Sequence, residues 1–104
     1  MKKKDREQFV KQATQLLLDL GATQEEGGAY SFSLQTKAGR LRIQVTENTT
    51  KGPGSVFTRF DDPKAAKELV DCNAATGKWN HYFFEGTVEA AIDNLSFWLK
   101  KVMP

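Results

Sequence analysis

Between Asp5 and Leu20 the apolar residues Phe9, Ala13, Leu16, Leu17 and Leu20 recur at steps of 4, 3, 1 and 3. That spacing draws one stripe along a helix. Asp5 offers an N-cap, with Gln8 three residues on as in a capping box. Gly21 supplies the left-handed position that ends a helix. Residues 1–4 precede the cap and are expected to fray. After a polar loop from Thr23 to Gly28 the period changes to two. Tyr30, Phe32 and Leu34 alternate with Ser31, Ser33 and Gln35. Beyond Thr36-Lys37-Ala38-Gly39, Leu41, Ile43 and Val45 alternate with Arg40, Arg42 and Gln44. The two runs predict an antiparallel hairpin with an apolar face and a polar face.

Glu47 to Ser55 holds Asn48, Thr49, Thr50 and two glycines around Pro53, and reads as a loop. Val56–Phe60 is a third strand whose facing the pattern leaves open: Val56, Thr58 and Phe60 lie on one side, Phe57 and Arg59 on the other. Asp62 and Pro63 start a second helix, because proline at the first helical position loses no intrahelical bond. It runs to about Asp71 with Ala66, Leu69 and Val70 inward. Asn73–Gly77 is a turn, and Trp79–Phe84 a fourth strand, aromatic on both faces. Gly86 or Thr87 caps a third helix with the stripe Val88, Ala91, Ile92, Leu95, Trp98 or Leu99, and Val102. The order α-β-β-β-α-β-α predicts one α+β domain over residues 1–104. It has a three- or four-stranded, mainly antiparallel sheet with helices packed on one face, the first and third helices supplying most of the cover.

The hydrophobic fraction of 39% and aromatic fraction of 11% exclude a disordered chain. Fifteen basic against thirteen acidic residues, a net charge of +2, give no strong overall field, and the sequence lacks the basic excess of an obligate nucleic-acid binder. Cys72 is the single cysteine, so no internal disulfide forms. No apolar run of signal-peptide or membrane-span length appears, and the expected location is the cytoplasm.

Three motifs invite a chemical reading. Cys72-Asn73-Ala74-Ala75-Thr76-Gly77-Lys78-Trp79 echoes a phosphate-binding loop, but Cys72 replaces the first glycine and Trp79 the metal-binding hydroxyl. The echo also lies between a helix and a following strand, the reverse of the required order. Cys72 and His81 could form a nucleophile and base or two metal ligands, yet no third ligand stands at metal-binding spacing. Asp61 and Asp62 point apart on an extended segment, and helix capping accounts for them. No catalytic residue, cofactor or metal is therefore expected.

The polar face of the sheet is the candidate binding surface. Arg40, Arg42 and Gln44 face outward with Ser31, Ser33 and Gln35, joined by Phe57 and Arg59 and, from the next strand, by Lys78, Trp79, Asn80 and His81. Basic groups interleaved with aromatics on an open sheet can hold single-stranded nucleic acid or a protein. The other reading is an ordinary solvated face. Phe97 lies off the third helix's stripe and could support a homodimer contact through that helix.

Val56-Phe57-Thr58-Arg59-Phe60-Asp61-Asp62-Pro63-Lys64-Ala65-Ala66 and Thr76-Gly77-Lys78-Trp79-Asn80-His81 resemble stretches of small uncharacterised proteins of bacteria, phages and plasmids. The resemblance covers the second half of the chain and implies a bacterial or mobile-element context, with no activity attached. The order α-β-β-β-α is similar to that of double-stranded-RNA-binding domains in topology alone. The second helix begins Asp61-Asp62-Pro63-Lys64, where those domains carry a basic start. The expectation is a non-catalytic binding or accessory protein acting through a protein contact, the alternative being a weak nucleic-acid binder.

Overall fold

The computed structural model describes residues 3–26, 30–47, 52–67 and 78–104. The chain runs α1 (Lys3–Asp19), β1 (Thr23–Gln24), β2 (Ser31–Thr36), β3 (Gly39–Thr46), β4 (Gly54–Phe60), α2 (Pro63–Lys67), β5 (Asn80–Phe84) and α3 (Val88–Val102). The strands form one sheet in the order β1-β2-β3-β4-β5, each antiparallel to its neighbours. The α+β class and the order of helices and strands are those the sequence predicts. The strand count is five because a two-residue β1, inside the segment read as polar loop, pairs Thr23 with Ser33 and Gln24 with Phe32. Two exposed residues are too few to carry an alternation.

Lys3 and Lys4, expected to fray, are helical, and Asp5 lies in the first turn of the described helix. Its carboxylate there complements the positive end of the helix dipole. The helix ends as Gly21 predicts. Gly21 has φ 91, and the Ala22 N–H reaches back to the Leu17 carbonyl and the Gly21 N–H to that of Leu18, the paired bonds of a Schellman motif. At the other end of the chain, the Thr87 hydroxyl accepts from the Ala90 N–H at 3.1 Å and caps α3.

The two long helices lie on the same side of the sheet. Phe9, Ala13 and Leu17 of α1 and Ala91, Leu95, Leu99 and Val102 of α3 are buried with Phe32, Leu34, Leu41, Ile43, Val45, Val56 and Phe60. The α3 stripe therefore takes Leu99. Trp98 sits half-buried beside it, its ring 5.8 Å from Tyr82 and 6.3 Å from Phe60. Tyr30 departs from the pattern. It is in phase with Phe32 yet exposed, at a rim lined by Val10, Lys11 and Glu47.

The hairpin between β2 and β3 is tighter than a four-residue loop, since Thr36 pairs with Gly39 and only Lys37 and Ala38 lie between. The Thr36 hydroxyl donates to the Gly39 carbonyl at 2.7 Å and accepts from the Ala38 N–H at 3.1 Å. Gly52, Pro53, Gly54 and Ser55, expected in a loose loop, are buried. Gly54 and Ser55 open β4, and the Phe9 ring lies against the Gly54 backbone. α2 is described only to Lys67, with Ala66 buried as predicted. Leu69, Val70, Cys72 and the Asn73–Gly77 turn lie outside the described residues. No described helix is long and apolar enough to cross a membrane.

Candidate binding surface

With α1 and α3 on one side, the other side of the sheet is left to residues of the opposite phase. In β3 the burial alternates, so Leu41, Ile43 and Val45 are buried while Arg40, Arg42 and Gln44 are exposed. β4 resolves its facing the same way: Val56, Thr58 and Phe60 are buried, and Phe57 and Arg59 turn outward. Because directly opposed residues in a sheet share a face, the register assembles two outer rows. Ser31, Gln44, Phe57 and His81 make one, and Thr23, Ser33, Arg42 and Arg59 the other. The predicted residues of β3 and β4 thus meet on one surface.

β5 adds aromatic rings. His81 stacks on Phe57 with centroids 3.8 Å apart and planes 16° from parallel, and the Phe83 ring centre lies 3.9 Å from that of His81 with the planes tilted by 42°. Trp79, just before β5, lines a cavity of about 260 Å³ with Gln44 and Phe57. A neighbouring cavity of about 210 Å³ carries Trp79 and Gln44 on towards Arg42, Glu25 and Glu26. Asn80 belongs elsewhere. It pairs with the buried Thr58, on the core side, and its amide donates to the Lys78 carbonyl at 3.4 Å. Lys78 is exposed ahead of the strand.

Electrostatically the surface is closer to neutral than its arginines suggest. Asp61 is not a helix cap. Its two carboxylate oxygens accept from Arg40 Nε at 2.6 Å and Arg42 Nε at 3.0 Å, while Asp62 alone caps α2 by accepting from the Ala65 N–H at 3.1 Å. The Arg40 hydrogen bond holds the Asp61 carboxyl below its usual 3.8, slight burial opposes it, and the Arg42 bond adds to the lowering. Arg59 makes no ion pair among the described residues.

His81 is fixed from beneath. Its Nε2 lies 2.7 Å from Ser55 Oγ, and burial lowers its pKa from 6.5, so the ring is neutral at pH 7. A serine beside a neutral imidazole is the start of a hydrolytic pair. Ser55 is fully buried, however, so no substrate carbonyl can approach its oxygen, and the bond serves to orient the ring. Among the described residues no three His, Cys, Asp or Glu side chains converge on a metal site. Cys72, the other half of the predicted Cys72–His81 pairing, lies outside the described residues.

These shifts set an acid response. Well above pH 6.5 His81 is neutral in both folded and unfolded chains. As pH falls towards and below that value the unfolded chain binds the proton first, and the fold loses stability until the partly buried ring also protonates. Asp61 contributes stability above 3.8 that is lost as pH falls through its lowered folded-state value. The pair with Arg40 and Arg42 is well exposed, so its share is no more than about 1 kcal/mol. The thermal midpoint is expected to fall in two stages on acidification, the first abolished by His81→Gln. An unchanged midpoint between about pH 7 and pH 5 would show that His81 is not held neutral by burial.

Sequence reasoning missed Phe83, Ser55, Glu25 and the role of Asp61. Phe83 was reachable, since it lies two residues from His81 and so shares its face. Asp61 was not, because its partners stand 21 and 19 residues away and meet it only through the β3–β4 register. No family model, curated protein or solved structure matches the chain.

Proposed function

We propose that the chain is a small non-catalytic binding protein that works through the outer face of its sheet, in contact with a protein partner. One observation carries this reading: the Phe57–His81–Phe83 stack stands on a sheet face opposite both long helices. Rings already packed against one another lose little conformational entropy on binding. Aromatic and arginine side chains are also the groups that most often dominate the energy of protein interfaces. Sharing of Asp61 by Arg40 and Arg42, with Glu25 and Glu26 at the cavity edge, leaves few cations for a phosphate backbone. That balance favours a protein over a nucleic acid.

A weak single-stranded nucleic-acid binder is the second reading. The same stack favours it, because bases stack on flat side chains whatever their sequence. Two measurements separate the readings. A protein partner isolated with the wild-type chain should bind Phe57→Ala/Trp79→Ala at least about 30-fold more weakly in calorimetric titration, as for a lost hot spot. Labelled oligothymidylate should show no saturable anisotropy change even at low salt. Oligonucleotide binding that falls with added salt and with Arg42→Glu would replace the first reading by the second.

A further inference from the structure

The two edges of the sheet differ. β1 is two residues long and is followed by Glu25 and Glu26. Shortness and charge are the usual protections of an exposed edge. At the other edge β5 runs Asn80-His81-Tyr82-Phe83-Phe84, with neither proline nor a carboxylate nor a lysine within it. Such a strand, left bare, is a template for pairing.

The ladder determines which of its backbone groups face outward. The Asp61 N–H donates to the Arg40 carbonyl. Antiparallel bonding alternates along a strand, so Arg59, Phe57 and Ser55 bond towards β3, and Thr58, Val56 and Gly54 towards β5. Their partners Asn80, Tyr82 and Phe84 use their own groups on β4. The N–H and C=O groups of His81 and Phe83 therefore point off the sheet and have no partner among the described residues. Phe83 is 54% exposed beside them.

We infer that this edge is where a second copy of the chain pairs, antiparallel to β5 about Tyr82, joining two five-stranded sheets into one. The strand is complementary to itself in this arrangement. His81 of each chain falls opposite Phe83 of the other, so the outward N–H and C=O groups of both residues bond reciprocally. In the same register Asn80 of each chain falls opposite Phe84 of the other, and Trp79 opposite Glu85. On the helix-bearing side of this edge, Tyr82, Phe84, Phe97 and Trp98 line an apolar cavity of about 230 Å³, with Phe97 65% exposed at its rim. A two-fold axis beside Tyr82 sets the two cavities next to each other. It also brings the two Phe57–His81–Phe83 stacks onto one continuous outer face. The inference stands apart from the identity of the ligand of that face.

Sedimentation equilibrium of the full chain over a concentration series tests it. The expected mass is twice the 11.7 kDa of one chain, and the His81 and Phe83 amides should exchange slowly with deuterium in proportion to the dimer present. Phe83→Lys, at an exposed position, should give a folded monomer by mass and circular dichroism, with fast exchange at His81. Phe57→Ala should leave the dimer intact. A wild-type monomer up to the solubility limit, with fast-exchanging His81 and Phe83 amides, would overturn the inference. So would a monomer whose edge is protected only on adding an extended peptide, which would make another protein's strand the occupant.

Discussion

Phe9→Ala should remove about 3–5 kcal/mol of folding stability, the range for deleting a buried aromatic ring. Phe9 is fully buried on α1. Its ring lies against the backbone of Gly54 in β4 and 5.7 Å from the ring of Phe84 in β5. One side chain thus ties the first helix to the late strands. Its removal loses the transfer free energy of the ring and leaves a cavity that glycine, with no side chain, cannot fill. A domain of this size has roughly 5–15 kcal/mol in total, and each kcal/mol moves the thermal midpoint by about 4–8 °C. The midpoint should therefore drop by tens of degrees. Urea unfolding followed by circular dichroism measures the change directly. A loss below about 1 kcal/mol, the ordinary cost of a point substitution, would mean that the helix does not dock on Gly54.

Gly54→Ala should destabilise the fold by at least about 1–3 kcal/mol. A β-carbon at Gly54 would be placed inside the Phe9 ring, among Cδ1, Cε1 and Cγ. The methyl group can be accommodated only if Phe9 leaves its place or α1 lifts from the sheet. The cost should therefore depend on Phe9. In a double-mutant cycle, Gly54→Ala combined with Phe9→Ala should cost clearly less than the two single changes added together, because one substitution vacates the volume the other needs. Additive effects would place the two residues out of contact. Ser33→Ala, on the outer face, is the neutral comparison.

Most of the fold was legible because its signals are local. The first helix, the hairpin and the third helix each carry a periodicity that elementary geometry converts into a buried face, and Gly21 and Thr87 stop and start helices where their chemistry suggests. The candidate surface was legible for the same reason, since Arg40, Arg42 and Gln44 are out of phase with Leu41, Ile43 and Val45. The misses share another cause. Gly52-Pro53-Gly54 has the composition of a turn, yet it is buried, Gly54 lying against Phe9, a residue more than forty positions earlier, and Gly52 against the backbone of Phe84. β1 has no pattern of its own and exists because β2 offers it an edge. Asp61 looks like one of two capping carboxylates until the strand register sets it between two guanidinium groups.

The order of residues alone thus determined which side chains are greasy, where helices begin and end, and which strands alternate. Those properties follow from backbone geometry acting over a few residues. Tertiary structure alone decided that Phe57, His81 and Phe83 form one stack, that the charge of Arg40 and Arg42 is offset by Asp61, and that the His81 and Phe83 backbone groups face an open edge. These outcomes depend on strand register, where a slip of one residue would turn every side chain to the opposite face. Register is set by the packing of two helices against the sheet, which no local stretch of sequence encodes.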